Sequence, residues 1–179
     1  MSVYQVIDKP TPYQWARPPG EAGKVSWICV HTPEAGADAL NTVAYLTGSG
    51  NTGKVGYHEL VDGVRGVIYR LARPARWVGQ AGIGTRVPGT TVRGVQCNYR
   101  MWSISMNNVA GKRPPEYAVV LASQRVADMI VELGLPDAGV VLAHRELNVV
   151  PGRRSDPTGV DMVDFRQRVA DALARRRQS

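Results

Sequence analysis

A chain of 179 residues is long enough for one domain with a sizeable core, and 44% hydrophobic with 21% charged residues is the composition of a folded globular protein. No run reaches the ~20 apolar residues of a membrane span, which argues against membrane insertion. The net charge of +7 admits nucleic acid, an anionic membrane or a bacterial cell wall as partner and favours none of them.

The first residues, "MSVYQVIDKPTPYQWARPPG", lack a basic start followed by an apolar block, so no secretory signal is expected and residues 1–24 read as an N-terminal extension. "KVSWICVH" alternates, with Val25, Trp27, Cys29 and His31 on one face and Ser26, Ile28 and Val30 on the other, and predicts a buried strand ending at His31. Asp38 is placed to cap a short helix carrying Leu40, Val43, Ala44 and Thr47 at helical spacing. "VGYHELVDGVRGVIYRL" predicts a hairpin turning near Asp62-Gly63. Residues 72–94 are rich in Gly and Pro and predict an irregular stretch, and long loops of this kind are often functional.

"MWSISMNNV" predicts another strand. A long amphipathic helix is expected from about Glu116 to Leu133, stopped by Gly134 and Pro136. "GVVLAH" predicts a strand ending at His144, and "DMVDFRQRVADALARRR" a final helix. Strands and helices mix without strict alternation, which predicts an α/β domain over residues 25–179 with a mixed central sheet flanked by helices. Cys29 and Cys97 are too few and too far apart for a disulfide framework or a Cys-x-x-Cys metal knuckle, and both are expected as free thiols.

Two of the three histidines, His31 and His144, end apolar strands that run into Pro/Gly loops, and Asp156 follows His144 by twelve residues. In sheets flanked by helices, ligands gather where loops leave the carboxyl ends of strands. A catalytic zinc takes three protein ligands and leaves a fourth position for water, and two imidazoles with a carboxylate suit it. On the residues alone a plainer reading stays open. A strand-end histidine often only hydrogen-bonds within the fold, and Asp156-Pro157 could simply start the last helix. His58 and Tyr57 point to opposite faces if their strand is regular, so both cannot face one site.

Taken together, "ICVHT", "VGYHELVDG", "WSISMNN" and "HRELNVVPGRRSDPTG" resemble the zinc-dependent N-acetylmuramoyl-L-alanine amidases of the phage endolysin and peptidoglycan-recognition-protein type, over about residues 25–165. The resemblance implies that fold, zinc on His31, His144 and Asp156, and bacterial peptidoglycan as substrate. It places Tyr57 beside the attacking water, which leaves His58 structural, and Arg154 at the position of a family lysine that stabilises the oxyanion. Arg154 keeps the charge but exchanges a rotating ammonium for a planar fork. Asn107 stands where one branch has a glutamate general base, and it cannot take a proton, so this chain would have to rely on Tyr57, or on Glu34 or Glu146 near the ligands. Gln80 stands where many relatives have a histidine that grips substrate. Asn107 and Gln80 are therefore expected to bind substrate.

A monomeric phage lysin, made in the host cytoplasm and acting on the wall after release, fits this pattern, as a catalytic domain complete in itself or part of a longer endolysin. The rivals are a metal-free wall-recognition module, which would have lost a ligand, and a zinc peptidase cutting within the stem peptide. Nucleic acid is not expected as a partner, since aromatics are only 7% of the chain and are not interleaved with Lys and Arg on one sheet face.

Overall fold

The computed structural model describes residues 4–21, 24–33, 35–36, 38–81, 84–149 and 155–178. Eight strands are present: β1 (Gln5–Asp8), β2 (Gln14–Ala16), β3 (Trp27–His31), β4 (Glu59–Asp62), β5 (Val67–Arg70), β6 (Arg76–Val78), β7 (Met101–Met106) and β8 (Val141–Ala143). Four helices join them: α1 (Ala39–Thr47), α2 (Val95–Arg100), α3 (Glu116–Glu132) and α4 (Met162–Gln178). Six strands form one sheet in the order β1-β5-β4-β7-β3-β8, and β2 pairs with β6 in a separate ribbon. Only β4 and β5, the two arms of the hairpin, run antiparallel in the large sheet. This is the mixed, helix-flanked sheet that the pattern predicts.

The alternation along β3 decides which side chains go where. Ile28 and Val30 enter the main core with Trp102, Ile104 and the helices α3 and α4. Cys29 faces the other side, beside Cys97, Met101 and Leu147, and His31 follows it by two residues. The central strand β7 is buried at every position, as expected of a strand covered on both faces. Helix α3 buries Ala118, Leu121, Ala122, Arg125, Val126 and Met129, a continuous stripe at helical spacing. Its end is a Schellman turn. Leu135 N–H donates to Ile130 O (2.9 Å), Gly134 N–H donates to Val131 O (3.1 Å), and Gly134 takes the required positive φ of 64°.

Several expectations shift in detail. Asp38 caps α1 by accepting from Leu40 N–H (3.0 Å), but the buried face is Ala39, Thr42, Val43 and Leu46, and Leu40 is exposed. The hairpin turn spans residues 63–66, with Asp62 Oδ1 accepting from Val64 and Arg65 N–H. Gly63 is needed there because a Cβ would meet Ala118 Cβ at 2.6 Å. The stretch 72–94 contains β6, and α2 follows it directly, a helix not anticipated. The last helix starts at Met162, with Asp161 Oδ1 accepting from Val163 N–H (2.8 Å), so Asp156-Pro157 does not begin it. Both cysteines are buried free thiols. No helix among the described residues is long and apolar enough to cross a membrane.

The N-terminal segment is not an extension in the packing. β1 forms the edge of the large sheet against β5. Thr11 is buried with its hydroxyl donating to Leu46 O (2.8 Å), and β2 pairs with β6. The boundary expected at residue 25 falls inside a continuous structure, because the short β1 and β2 find their partners about 60 residues along the chain.

Beneath β4 lies a buried ion pair. Glu59, 1% exposed, accepts two 2.8 Å bonds from Arg125 on α3, and the Arg125 guanidinium lies 5.9 Å from the centre of the Trp102 ring. Removing Arg125 leaves the buried Glu59 with only its longer contact to Arg70 (3.4 Å). Arg125→Ala is expected to lower unfolding free energy by about 3–5 kcal/mol, read from urea denaturation at neutral pH.

Candidate metal centre

Strands β3 and β8 are parallel neighbours with Val30 opposite Ala143, so the next residue of each chain, His31 and His144, emerges at the same end of the sheet. Their ring centres lie 4.5 Å apart. Asp156 closes the group. Its Oδ2 lies 3.0 Å from His31 Nδ1, and its Oδ1 lies 2.9 Å from His144 Nδ1. One ligand atom from each of the three lies within 4.8 Å of the others, and both histidines are buried.

The return of Asp156 to the histidines is secured by their neighbours. Arg145 N–H, one residue beyond His144, donates to Asp156 O (2.9 Å), and the Arg145 guanidinium donates to Pro157 O (2.5 Å) and Val160 O (2.9 Å). From the other strand, Thr32 Oγ1 accepts from Thr158 N–H (3.0 Å). The residue after each histidine thus holds the stretch that follows Asp156. Arg145 and Thr32 escape a sequence search for ligands, because nothing distinguishes them except adjacency to the histidines.

Burial, reinforced by the neighbouring His144, pushes the His31 imidazole below its ordinary value and keeps it neutral at pH 7. Burial opposes ionisation of Asp156, but the hydrogen bonds to His144 and His31 outweigh it and hold the carboxyl well below the usual carboxylate range. A neutral imidazole at His31 and a carboxylate at Asp156 are protonation states that a divalent metal requires. His144 Nε2 is buried without a hydrogen-bond partner. His31 Nε2 lies 3.1 Å from Gln80 Oε1; with a cation bound, donation from Nε2–H to that oxygen would leave Nδ1 free of its proton to serve as ligand. The donor set fits a cation held between the two Nδ1 atoms and the carboxylate.

The other expected residues are placed as follows. Tyr57 stands beside the centre, its ring 5.0 Å from that of His31. Gln80, expected to grip substrate, is 6% exposed and supports His31 from behind. Asn107, also expected to meet substrate, is buried with its carboxamide committed: Nδ2 donates to Gly36 O (2.8 Å) and Oδ1 accepts from Thr42 Oγ1 (2.8 Å). Glu146 accepts from Ala143 N–H (2.7 Å) and pairs with Arg166 (2.5 Å), a strut under the β8 turn rather than a base aimed at the centre. Arg154 and Glu34 lie outside the described residues. His58 is structural, as expected. Burial pushes its imidazole down to about 3, and the neutral ring bridges Ser103 Oγ and Arg76 O at 3.0 Å each.

With these positions fixed, the similarity to known proteins can be judged. The profile described as N-acetylmuramoyl-L-alanine amidase, type 2, matches residues 21–159, a span that contains all three ligand candidates. The chain belongs to this amidase family. No curated protein sequence matches it significantly. Among solved structures, a selenomethionine derivative of AmpD superposes with a TM-score of 0.72 at 18% identity, covering 94% of this chain and 96% of that one. A mutant endolysin from Bacillus subtilis gives 0.67 at 21% identity over 93% and 99%. The Staphylococcus aureus hydrolase AmiA, solved with its ligand, gives 0.71 at 14% identity over 99% and 87%. At these identities the superpositions establish the amidase fold.

The amidase positions Asp156 largely through Arg145, which touches no ligand atom. Arg145→Ala is expected to weaken metal binding about 10–100-fold in equilibrium dialysis while far-UV dichroism is retained, the usual cost of losing support for a ligand.

Proposed function

We propose that this amidase hydrolyses the amide between the lactyl group of N-acetylmuramic acid and L-alanine in peptidoglycan, with zinc at His31, His144 and Asp156, in a wall-lysing role of the phage endolysin kind. The observation that supports this most is the convergence of two buried imidazole Nδ1 atoms on the Asp156 carboxylate. A metal-free recognition module would have no use for that set. Zinc bound there supplies Lewis-acid polarisation of the scissile carbonyl and brings the pKa of the attacking water to roughly 7.

The chain's own groups supply the rest. Tyr57, packed against His31, is placed to hold a proton at its phenolic oxygen while the water or the developing oxyanion is hydrogen-bonded. Arg154, two residues before Asp156, would present its guanidinium to the oxyanion, a contribution on the order of 3 kcal/mol for one such donor. Glu146 and Asn107 are committed to the fold, so proton transfer falls to Tyr57 among the described candidates.

Digestion of purified peptidoglycan followed by mass analysis of the fragments tests this reading. Stem peptides with a free L-alanine amino terminus should appear, vanish with chelator and return with zinc. His144→Ala should lose both bound zinc and digestion, whereas Arg154→Ala should keep zinc and lose about 10²-fold in turnover. Cuts within the stem would make the protein a peptidase, and full digestion by His144→Ala would sink the site assignment.

A further inference from the structure

The segment "RLARPARW" sets Arg70, Arg73 and Arg76 three residues apart between β5 and Trp77 on β6. It has no regular structure from 71 to 75, yet its backbone is pinned throughout. Leu71 and Ala72 N–H both donate to His58 O (2.8 and 3.1 Å). Pro74 O accepts two bonds from buried Arg17 (3.0 and 2.9 Å), and Arg76 O lies 3.0 Å from His58 Nε2. Arg76 N–H closes the turn onto Arg73 O (2.9 Å). Two buried polar side chains, His58 and Arg17, thus hold one short loop in a single shape.

What that loop displays is charge. Arg70 is engaged by Glu59 (3.4 Å) and Asp8 (3.6 Å). Arg73 and Arg76 are exposed, and their guanidinium groups have no carboxylate or carbonyl partner among the described residues. Together with Asp8 and Gln14 these arginines line an open cavity of about 600 Å³. Asp8 is the one acid on its lining and already faces Arg70, so the remaining charge there is that of the two free guanidinium groups. Trp15 and Trp77 stack at 4.6 Å on the other face of the ribbon, since strand alternation turns Trp77 away from Arg76. Two exposed guanidinium groups on a fixed backbone match an oxyanion.

We propose that Arg73 and Arg76 form a subsite for an oxyanion carried by the cell-wall polymer, a phosphate diester or a carboxylate, that seats the amidase on its substrate. The proposal rests on the wall-acting reading above. The subsite is joined to the metal centre through short stretches of chain. Gln80, against His31, lies four residues beyond Arg76, and Tyr57 immediately precedes the His58 that pins the loop. Both stretches of chain connect the arginine loop to residues that touch His31.

The test compares native protein with the double variant Arg73→Gln/Arg76→Gln, and with Lys112→Gln/Arg175→Gln as a charge-matched control on other surfaces. Binding to intact walls is measured by pelleting at low and physiological salt, with chelator present so that no turnover occurs. The arginine variant should lose about tenfold in wall affinity, with less salt dependence, while the control binds as native. A soluble muropeptide too short to reach the cavity should be cleaved at the native rate by both variants. Loss confined to walls that retain their phosphate polymer assigns the ligand as phosphate diester, and equal loss on stripped walls assigns it as carboxylate. Native affinity in the arginine variant, or the same loss in the control, overturns the subsite, as does competition by duplex DNA as strong as that by wall polymer. Failure to cleave muropeptide by any form would fall on the proposed reaction and leave the binding comparison intact.

Discussion

The Asp156 carboxylate is shared between two imidazoles that the sheet itself brings side by side. Because β3 and β8 are parallel and adjacent, His31 and His144 leave the sheet together, and no loop conformation is needed to unite them. Burial, with His144 beside it, keeps the His31 ring from taking up a proton. The carboxylate makes the group stable, and it must be delivered from outside the sheet. Arg145 and Thr32 do this by holding the chain on the far side of Asp156, so the residues that follow the histidines complete the site that the histidines begin.

The same economy governs the buried polar groups elsewhere. A buried donor or acceptor without a partner costs about 1–3 kcal/mol, so each must be answered. Glu59 and Arg125 answer each other between sheet and α3. Arg17 and His58 answer backbone carbonyls of one loop, and burial pushes Arg17 down to about 10 without discharging it at neutral pH. The histidine of "GYH" is thus tied to an arginine loop far along the chain, while the tyrosine before it stands at the metal centre.

What the sequence made legible was local. The strand ending at His31 shows in its two-residue alternation, α3 in its stripe and in the Gly134 stop, and the approach of Asp156 in the loop after His144. The face of α1 was misread because Leu40 looks apolar, although the helix turns Ala39 and Thr42 inwards. Helix α2 was missed because it has six residues and begins at Gly94 with no side-chain cap. β1 and β2 were missed because such short segments are specified by distant partners rather than by their own pattern. Gln80 and Asn107 could be located but not interpreted, since a carboxamide serves substrate and backbone equally well, and only tertiary contacts decide which.

Charge was the least legible feature, because a sum says nothing of commitment. Among the described arginines, Arg65, Arg100, Arg113, Arg125, Arg166, Arg168 and Arg176 are paired with acids of the fold. Arg17, Arg86, Arg145 and Arg177 are bound to backbone carbonyls. A net charge of +7 therefore does not tell which cations are free to meet a partner. Where such cations are scattered on mobile stems, solvent screens them and their contribution is small. Arg73 and Arg76 differ because their backbone is fixed at four points by buried groups, so little further ordering is needed when an anion arrives. The pin of their loop, His58, directly follows Tyr57, so one short strand entry both fixes the arginine loop and sets a tyrosine against His31 of the candidate centre.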